Sequence, residues 1–470
     1  LKIEKLNNTF LKAPVAIYFL LGIIVFSIRF YFNFSQELIP GVNGGYYPLQ
    51  VRSILTNGHL GFSDMPLIFY FDAFLIKFIS LFGFSITDSL ILSVVKIVDS
   101  ISIPLLLLPL YKIVQFSNPL PVKLFKFSIL AFSVLSFSPL ILTSDLQKNA
   151  LAIFFLFCFL AYYLSFQINR KKVNIFLSIA FLIFIGLTHF GTFVFSMFFL
   201  FLMVLYTYKK KAIFPISILI TISLGIVFLF DFSRFNRLVS FWTVVFEKPA
   251  VLNGMLSPPD LLIILFSIFL AIIGIITLKT KSNNFKPFQK TILFASIVCL
   301  IALSFPLLDG EYFKRLSLFL FIPQILLILQ ISTVFNVKQL KTTSISFVIF
   351  TLLSIIAVSG HPKETVIDKI AYEELRKLKS VIKNDNETII IARHGLEWWT
   401  AWALHTKVGQ DKAIDSVFFE KYKNVIFITQ INGFSKDIQR TPFHEPNVPE
   451  NSEMIFSSEY FKVFKLNNRQ

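Results

Sequence analysis

Apolar runs, most of them near the roughly 20 residues that a spanning helix requires, recur through the first three quarters of the chain. They fall at 13–32, 66–84, 91–111, 125–143, 149–168, 174–188, 190–207, 213–230, 261–278, 290–308, 316–335 and 342–360. Lipid offers backbone N–H and C=O groups no partners, so such runs cross as helices that satisfy those groups internally. The pattern predicts an all-α polytopic membrane domain over 1–360, with 11–12 hydrophobic helices. After residue 360 the pattern changes. "KETVIDKIAYEELRKLKSVI" has helical apolar spacing with many charges, "ETIIIAR" and "KNVIFITQ" read as buried strands, and "EMIFSSEYFKVFKL" reads as a closing strand pair. Residues 361–470 are expected to form a small soluble α/β domain. The first run is long and lacks a small-residue cleavage site, which predicts a retained helix rather than a removed signal.

Composition agrees: 55% hydrophobic residues, 59 Phe and only 15% charged residues exclude an ordinary soluble protein. The formal charge of +17 changes meaning once divided by region. Residues 1–360 hold 28 Lys and Arg against 12 Asp and Glu, whereas 361–470 hold 16 against 15. The excess sits in short loops such as "NRKK" (169–172), "KKK" (209–211) and "KTKSNNFKPFQK" (279–290), as cytoplasmic loops require. Anionic bilayer lipid accounts for these cations, and nucleic acid is not an expected partner. Cys158 and Cys299 lie within apolar runs at no metal or redox spacing.

With Lys2, Lys5 and Lys12 inside, the first polar loop, 33–65, is expected outside, and the C-terminal domain with it. Keeping Lys112, Lys123 and Lys126 inside requires that one run between them not cross. The run 66–84, which carries Asp72 and Lys77, is expected to be re-entrant or interfacial. Arg29 is expected to snorkel, and Lys96 with Asp99, three residues on, to form a neutralising pair.

The first loop is unusually polar. Glu37 follows helix one by a few residues, "NGGYY" (43–47) promises a glycine turn that lets backbone approach a ligand, and "YYPLQVRSILTNGHL" has amphipathic helical spacing. Val51, Ile54 and Leu55 would lie on the membrane side, with Gln50, Arg52 and His59 available opposite. Chemistry on a lipid-linked phosphate needs a carboxylate to deprotonate an acceptor and fixed cations to hold the departing phosphate. Glu37 is the candidate base, and Arg52, Lys148, Lys314 and Arg315 are candidate phosphate cations. Asp145 and Lys148, a helical turn apart, form a second candidate, with helix capping as the alternative reading. A divalent metal ion held by Glu37, Asp145 and His189 is a further reading of the same residues. Asp309, Glu311, Lys314 and Arg315 read as a charged cluster, and Trp398, Trp399 and Trp402 either as a sugar-stacking platform or as core and anchor.

In these features the chain resembles the GT-C superfamily of polytopic glycosyltransferases, which use polyprenyl-phosphate-linked sugars. The likeness covers most of 1–360. It rests on "GVNGGYYPLQVRSILTNGHL" with "DMPL", which is similar to Asp-Gly-x-Tyr-Tyr, an amphipathic helix and a Pro-Leu opening. It extends to "SPLILTSDLQKNALAIFF" (138–155), "LTHFGT" (187–192) and "EYFKRLSLFLFIP" (311–323). The acid before Gly-x-Tyr-Tyr is Asn43 here, and an Asn cannot take a proton, so the base role falls to Glu37.

The resemblance implies a GT-C-like fold and transfer of a sugar from a polyprenyl-phosphate donor to a glycan, lipid or protein acceptor outside a bacterial or archaeal membrane. Glu37 and Asp145 would be catalytic. Asn43, Tyr46, Tyr47, Gln50, Arg52, His59, Asp64, Lys148, His189, Glu311, Lys314 and Arg315 would bind substrate. The competing expectations are a flippase or transporter, a polysaccharide polymerase, and a non-catalytic GT-C relative acting as a scaffold.

Overall fold

The structure, a computed structural model, describes residues 2–117, 122–208, 232–252, 258–360, 363–382, 387–409, 422–434 and 444–466, with residue 256 and scattered positions between 211 and 229. The run 213–230, the "KKK" segment and Asp231 therefore lie largely or wholly outside the described residues. Among those described, seven helices are long and apolar enough to cross a bilayer, and an eighth span arises if the bent pair Gly310–Ser317 and Phe321–Val334 counts as one. This is fewer than the dozen runs. Part of the reason is length: Lys172–Thr188 and Pro287–Leu303 have 17 residues each, and Leu67–Ser80 has only 14. At 1.5 Å per residue the last spans about 21 Å, short of a hydrocarbon core of about 30 Å.

The chain divides into two compact units. One comprises Leu1–Gly22, Ile103–Ile141 and Ala152–Val358 and is helical. Its centre is the helix Phe321–Ile331, buried at all 11 positions. Serine hydroxyls meet it from other helices: Gln324 donates to Ser267 (3.1 Å) and Gln330 to Ser117 (3.1 Å), the polar pairing expected where apolar side chains alone cannot fix helix register. Pro258–Thr280 carries leucines and isoleucines on its exposed side, as a lipid-facing helix must.

The other unit comprises Ile23–Ser102, Leu142–Leu151 and Ser359–Gln470. Helix α1 (Lys2–Phe34) enters it with its second half and is followed by α2 (Tyr46–Asn57), α3 (Leu67–Ser80) and α4 (Asp88–Ser102). The C-terminal segment forms a five-stranded mixed sheet of β1 (Thr388–Ala392), β2 (Lys407–Gly409), β3 (Asn424–Gln430), β4 (Ser452–Ser457) and β5 (Phe461–Leu466), in the order β2-β1-β3-β5-β4. β1 lies parallel to β2 and β3, whereas β5 is antiparallel to β3 and β4, so the expected closing pair is present. Ile389, Ile391, Val425 and Phe427 point to one core with Leu466. The helix Leu396–Leu404 sits between β1 and β2 in sequence and packs on β1 and on α2.

Three expectations change here. Arg29 does not snorkel. It is fully buried, and its guanidinium donates to the Asp99 carboxylate (3.0 Å), to the Asp99 carbonyl (2.9 Å) and to the Leu142 carbonyl (2.9 Å). Asp99 consequently pairs with Arg29 and not with Lys96, because a planar fork reaches a carboxylate and two carbonyls at once. Its other oxygen accepts from the Asn33 amide (2.6 Å) and the Ser144 N–H (2.9 Å). Lys96 turns instead to the carbonyls of Gln36 (2.7 Å) and Glu37 (2.8 Å), which the chain exposes where α1 ends.

Nor does α2 lie bare on the membrane. Its apolar side, with Tyr47, Val51 and Ile54, is buried against α3, α4 and the helix Leu396–Leu404, and Gln50 is buried too. The glycines of the turn serve protein packing. A Cβ on Gly41, which has φ +89°, would stand 2.3 Å from the Asp145 carboxyl carbon, and one on Gly45 would meet Trp399 and Trp398 at about 3 Å.

Removing one member of a buried ion pair leaves the other uncompensated and costs about 3–5 kcal/mol, whereas removing both costs less. Asp99→Leu should therefore lower unfolding stability in detergent by that amount, and Arg29→Leu combined with it should recover part of the loss. A double variant no more stable than the single one would deny the coupling.

Candidate functional site

Two aspartates of the second unit are held by lysines. Asp64 accepts from the Lys148 ammonium, from the Tyr46 hydroxyl (2.7 Å) and from the Met65 N–H (2.7 Å). Gln50 positions this group from below: its amide donates to the Tyr46 hydroxyl (2.8 Å) and the Phe62 carbonyl (2.8 Å) and accepts from the Phe62 N–H (3.0 Å). Burial works to raise the Asp64 pKa, but the Lys148 charge and these donors outweigh it and hold the carboxyl below its ordinary range. Tyr46, Gln50, Asp64 and Lys148, expected to bind substrate, are thus brought together, with each bonded to protein.

Asp145 is the second. It lies in the short helical turn Ser144–Leu146, opened by Ser144 at φ 62°, and so is not stacked on Lys148 along a helix. Its carboxylate instead accepts from Lys363 (2.7 Å), whose ammonium also donates to the Thr143 carbonyl (3.1 Å). Tyr47 donates to the Asp145 carbonyl (3.2 Å), and burial raises its phenol pKa well above the ordinary range. Gln36 closes the group by accepting from the Thr365 N–H (2.9 Å) and donating to the Lys363 carbonyl (2.9 Å).

Glu37 differs from both. Its side chain is 52% exposed and makes one loose ion pair with Lys369 at 3.3 Å. It lines two open clefts. The first, about 510 Å³, is bounded by Lys96, Arg376, Lys379, His405, Asp88 and Tyr372, together with the backbone after α1. The second, about 620 Å³, is bounded by Glu364, Asp368, Lys369, Ile367, Phe434 and again Tyr372. Burial pushes the Tyr372 phenol up to about 12, so it remains a hydroxyl donor between the clefts at neutral pH. Burial, and then the charges of Arg52 and Lys379, lower the His405 pKa below 6.5.

Other candidates take structural partners. Arg52 stacks on Trp402 (4.2 Å) and donates to the carbonyls of Ala401 (2.8 Å) and Trp402 (2.9 Å), closing the C-terminus of that helix. Trp399 and Trp402 are buried, and Trp398 packs on Tyr46 (4.9 Å) and Phe62 (5.2 Å), so the three belong to the core, and Trp402 also forms part of the wall of the first cleft. His59 is exposed beyond the end of α2, with its ring at the Leu60 carbonyl (2.9 Å). Asn43 accepts the Tyr46 N–H at its carbonyl (3.1 Å), as turn geometry requires.

The remaining candidates belong to the helical unit. His189 receives the Thr192 N–H at Nδ1 (3.1 Å), capping the helix that follows. Arg315 pairs with Glu311 one turn away, both largely exposed, and Lys314 shares that helix, Gly310–Ser317, whose N-cap is Asp309.

A divalent ion on Glu37, Asp145 and His189 does not fit these positions: Asp145 already carries an ammonium, Glu37 faces Lys369, and His189 caps a helix. Among the described residues no three Asp, Glu, His or Cys side chains are gathered as metal ligands. Lys363, Arg376, Lys379, His405 and Tyr372, which the structure brings to these groups, were not singled out from the sequence. All five lie after residue 360, where charged and aromatic residues are common and no spacing marks them.

No protein-family model matches the chain, and no curated protein matches it. Solved structures do. The apo oligosaccharyltransferase of Archaeoglobus fulgidus superposes with TM-score 0.61 at 9% identity, over 88% of this chain and 69% of that one. The same oligosaccharyltransferase in complex with Zn and sulfate gives 0.53 at 12% identity, over 87% and 67%. The archaeal oligosaccharyltransferase AglB, from the same organism and in complex with an inhibitory peptide and a dolichol-phosphate, gives 0.56 at 12%, over 87% and 69%. Likeness at this identity is likeness of fold: the chain is a multi-pass membrane protein with the fold of these archaeal oligosaccharyltransferase structures.

Proposed function

We propose that this protein transfers a glycan from a polyprenyl-phosphate-linked donor to an acceptor on the outer side of the membrane, with Glu37 as the base. The observation that carries the reading is that Glu37 lines both clefts of its unit. The first suits a phosphate. Lys96, Arg376 and Lys379 supply cations, and only two of the three Lys96 ammonium hydrogens are used by the carbonyls of Gln36 and Glu37. It also lies at the end of α1, beside Phe34, and along the first turns of α4, from Asp88 to Lys96, the depth at which a lipid-borne phosphate would present itself. The second cleft, with Glu364, Asp368, Phe434 and Ile367, is the acceptor side.

The step follows from that division. An acceptor hydroxyl or amide attacks the anomeric carbon and gives its proton to Glu37. The bond from that carbon to the phosphate oxygen breaks, and its electron pair leaves with the lipid phosphate, which the cleft cations hold. The exposed pair with Lys369 is weak enough to open on binding. The solved neighbour that binds a dolichol-phosphate and a peptide supports a lipid phosphate donor and an extended acceptor. The basic short loops support a cytoplasmic N-terminus with Glu37 outside. A transporter reading is less favoured, because Arg29 and Asp99 neutralise each other.

In vesicles carrying a labelled polyprenyl-phosphate sugar, Glu37→Gln should lower turnover by about 10²–10⁴-fold, the range of general-base contributions, while its thermal unfolding matches the parent. Undiminished turnover would remove Glu37 as the base.

His405 predicts a pH dependence. Its lowered pKa leaves it neutral above 6.5, so a further cation enters the first cleft only as pH falls below that value. The donor KM should fall as pH drops below the ordinary histidine range and stay flat in His405→Ala. Parallel pH profiles of the two proteins would exclude the histidine.

A further inference from the structure

Two aspartates away from the clefts, Asp145 and Asp64, are arranged around cations of the chain's own making. The Lys363 ammonium, with its side chain 26% exposed, reaches two oxygens on the 143–145 loop, the Asp145 carboxylate (2.7 Å) and the Thr143 carbonyl (3.1 Å). The backbone around it is tied to the first loop: Gly41 donates to the Glu364 carbonyl (2.8 Å), and Gln36 accepts from Thr365 (2.9 Å). Gly41 leaves no room between itself and Asp145, since an added Cβ would fall 2.6 Å from either carboxylate oxygen. Lys148 repeats the pattern on Asp64, with its ammonium 5.3 Å from the Tyr46 ring centre and 5.8 Å from that of Phe69. In each case a positive charge ties its own segment to an acid-bearing loop distant in sequence, Lys363 to the 143–145 loop and Lys148 to Asp64, and so occupies the carboxylate that a bound divalent ion would need.

We propose that Lys363 on Asp145 and Lys148 on Asp64 stand in for a divalent cation, so that the acid-bearing loops of this chain are cross-linked by ammonium groups and not by metal. The chemistry is consistent on both sides of each pair. A carboxylate already satisfied by an ammonium at hydrogen-bond distance would have to lose that partner before it could take a dication, and the like charges of ammonium and dication repel at that range. The proposal rests on the ion-pair geometry and not on Glu37, so an error in the transfer reading leaves it standing.

The test is thermal unfolding of the full-length protein in detergent micelles, first in EDTA and then titrated with Mn²⁺, with NaCl at matched ionic strength as the control. The parent should unfold at the same temperature in EDTA and in Mn²⁺. Lys363→Ala should unfold at a lower temperature in EDTA and regain about 2–4 °C in Mn²⁺, the size of a one-kilocalorie change for a domain of this scale, with no gain in NaCl. Lys363→Ala combined with Asp145→Asn should lose the Mn²⁺ response. If Lys363→Ala does not fold, Lys148→Ala, which uncovers Asp64, carries the same comparison. A saturable Mn²⁺ stabilisation of the parent that Asp145→Asn abolishes would overturn the proposal. So would lysine variants that, even when made in Mn²⁺, gain nothing from it.

Discussion

The buried pair of Arg29 and Asp99 is the contact on which the Glu37 unit depends. Each charge would be costly alone in an apolar bundle, and each is saturated here by the other and by backbone. The geometry permits little slack: one guanidinium joins α1 to α4 and to the Leu142 carbonyl, and the same carboxylate collects the Asn33 amide and the Ser144 N–H. Lys96, one turn before Asp99, then meets the carbonyls of Gln36 and Glu37 as α1 ends. The position of Glu37 at the cleft wall is thus a consequence of helix register set some residues earlier. On the other side Ser144, held at φ 62° and donating to Asn33 (2.9 Å), directs Asp145 towards Lys363.

This arrangement divides the acids of the unit by role. Asp64 and Asp145 are drawn inwards by lysines and stitch loops together, while Glu37, exposed and only loosely paired, faces open volume. The first cleft joins the end of a membrane helix to a wall built by the C-terminal segment: Lys96 comes from α4, whereas Arg376, Lys379 and His405 come from beyond residue 360. The wall of this cleft is therefore shared between the first helices of the unit and its C-terminal segment. Arg52 secures the junction through Trp402 and two helix-end carbonyls, which explains why an arginine with phosphate-like geometry is spent on backbone.

Much was legible in the sequence alone. Lipid-facing helices announce themselves by length and apolarity, so the polytopic class, the change at residue 360 and the strands at Thr388–Ala392 and Asn424–Gln430 follow from local pattern. The polar loop after helix one, with Glu37 a few residues past the helix end, was also visible, because a carboxylate there is conspicuous against so few charges. Which partner each charge takes was decided only by tertiary structure. Lys96 and Asp99, three residues apart, suggested a pair, yet Arg29, 70 residues away, wins Asp99 because its fork satisfies three acceptors together. Lys148 passes over Asp145 for Asp64, and Asp145 takes Lys363 from 218 residues on. Periodicity is a property of neighbours along the chain, whereas ion pairing in a desolvated interior is settled by which groups packing brings within about 3 Å, and no local pattern carries that distance.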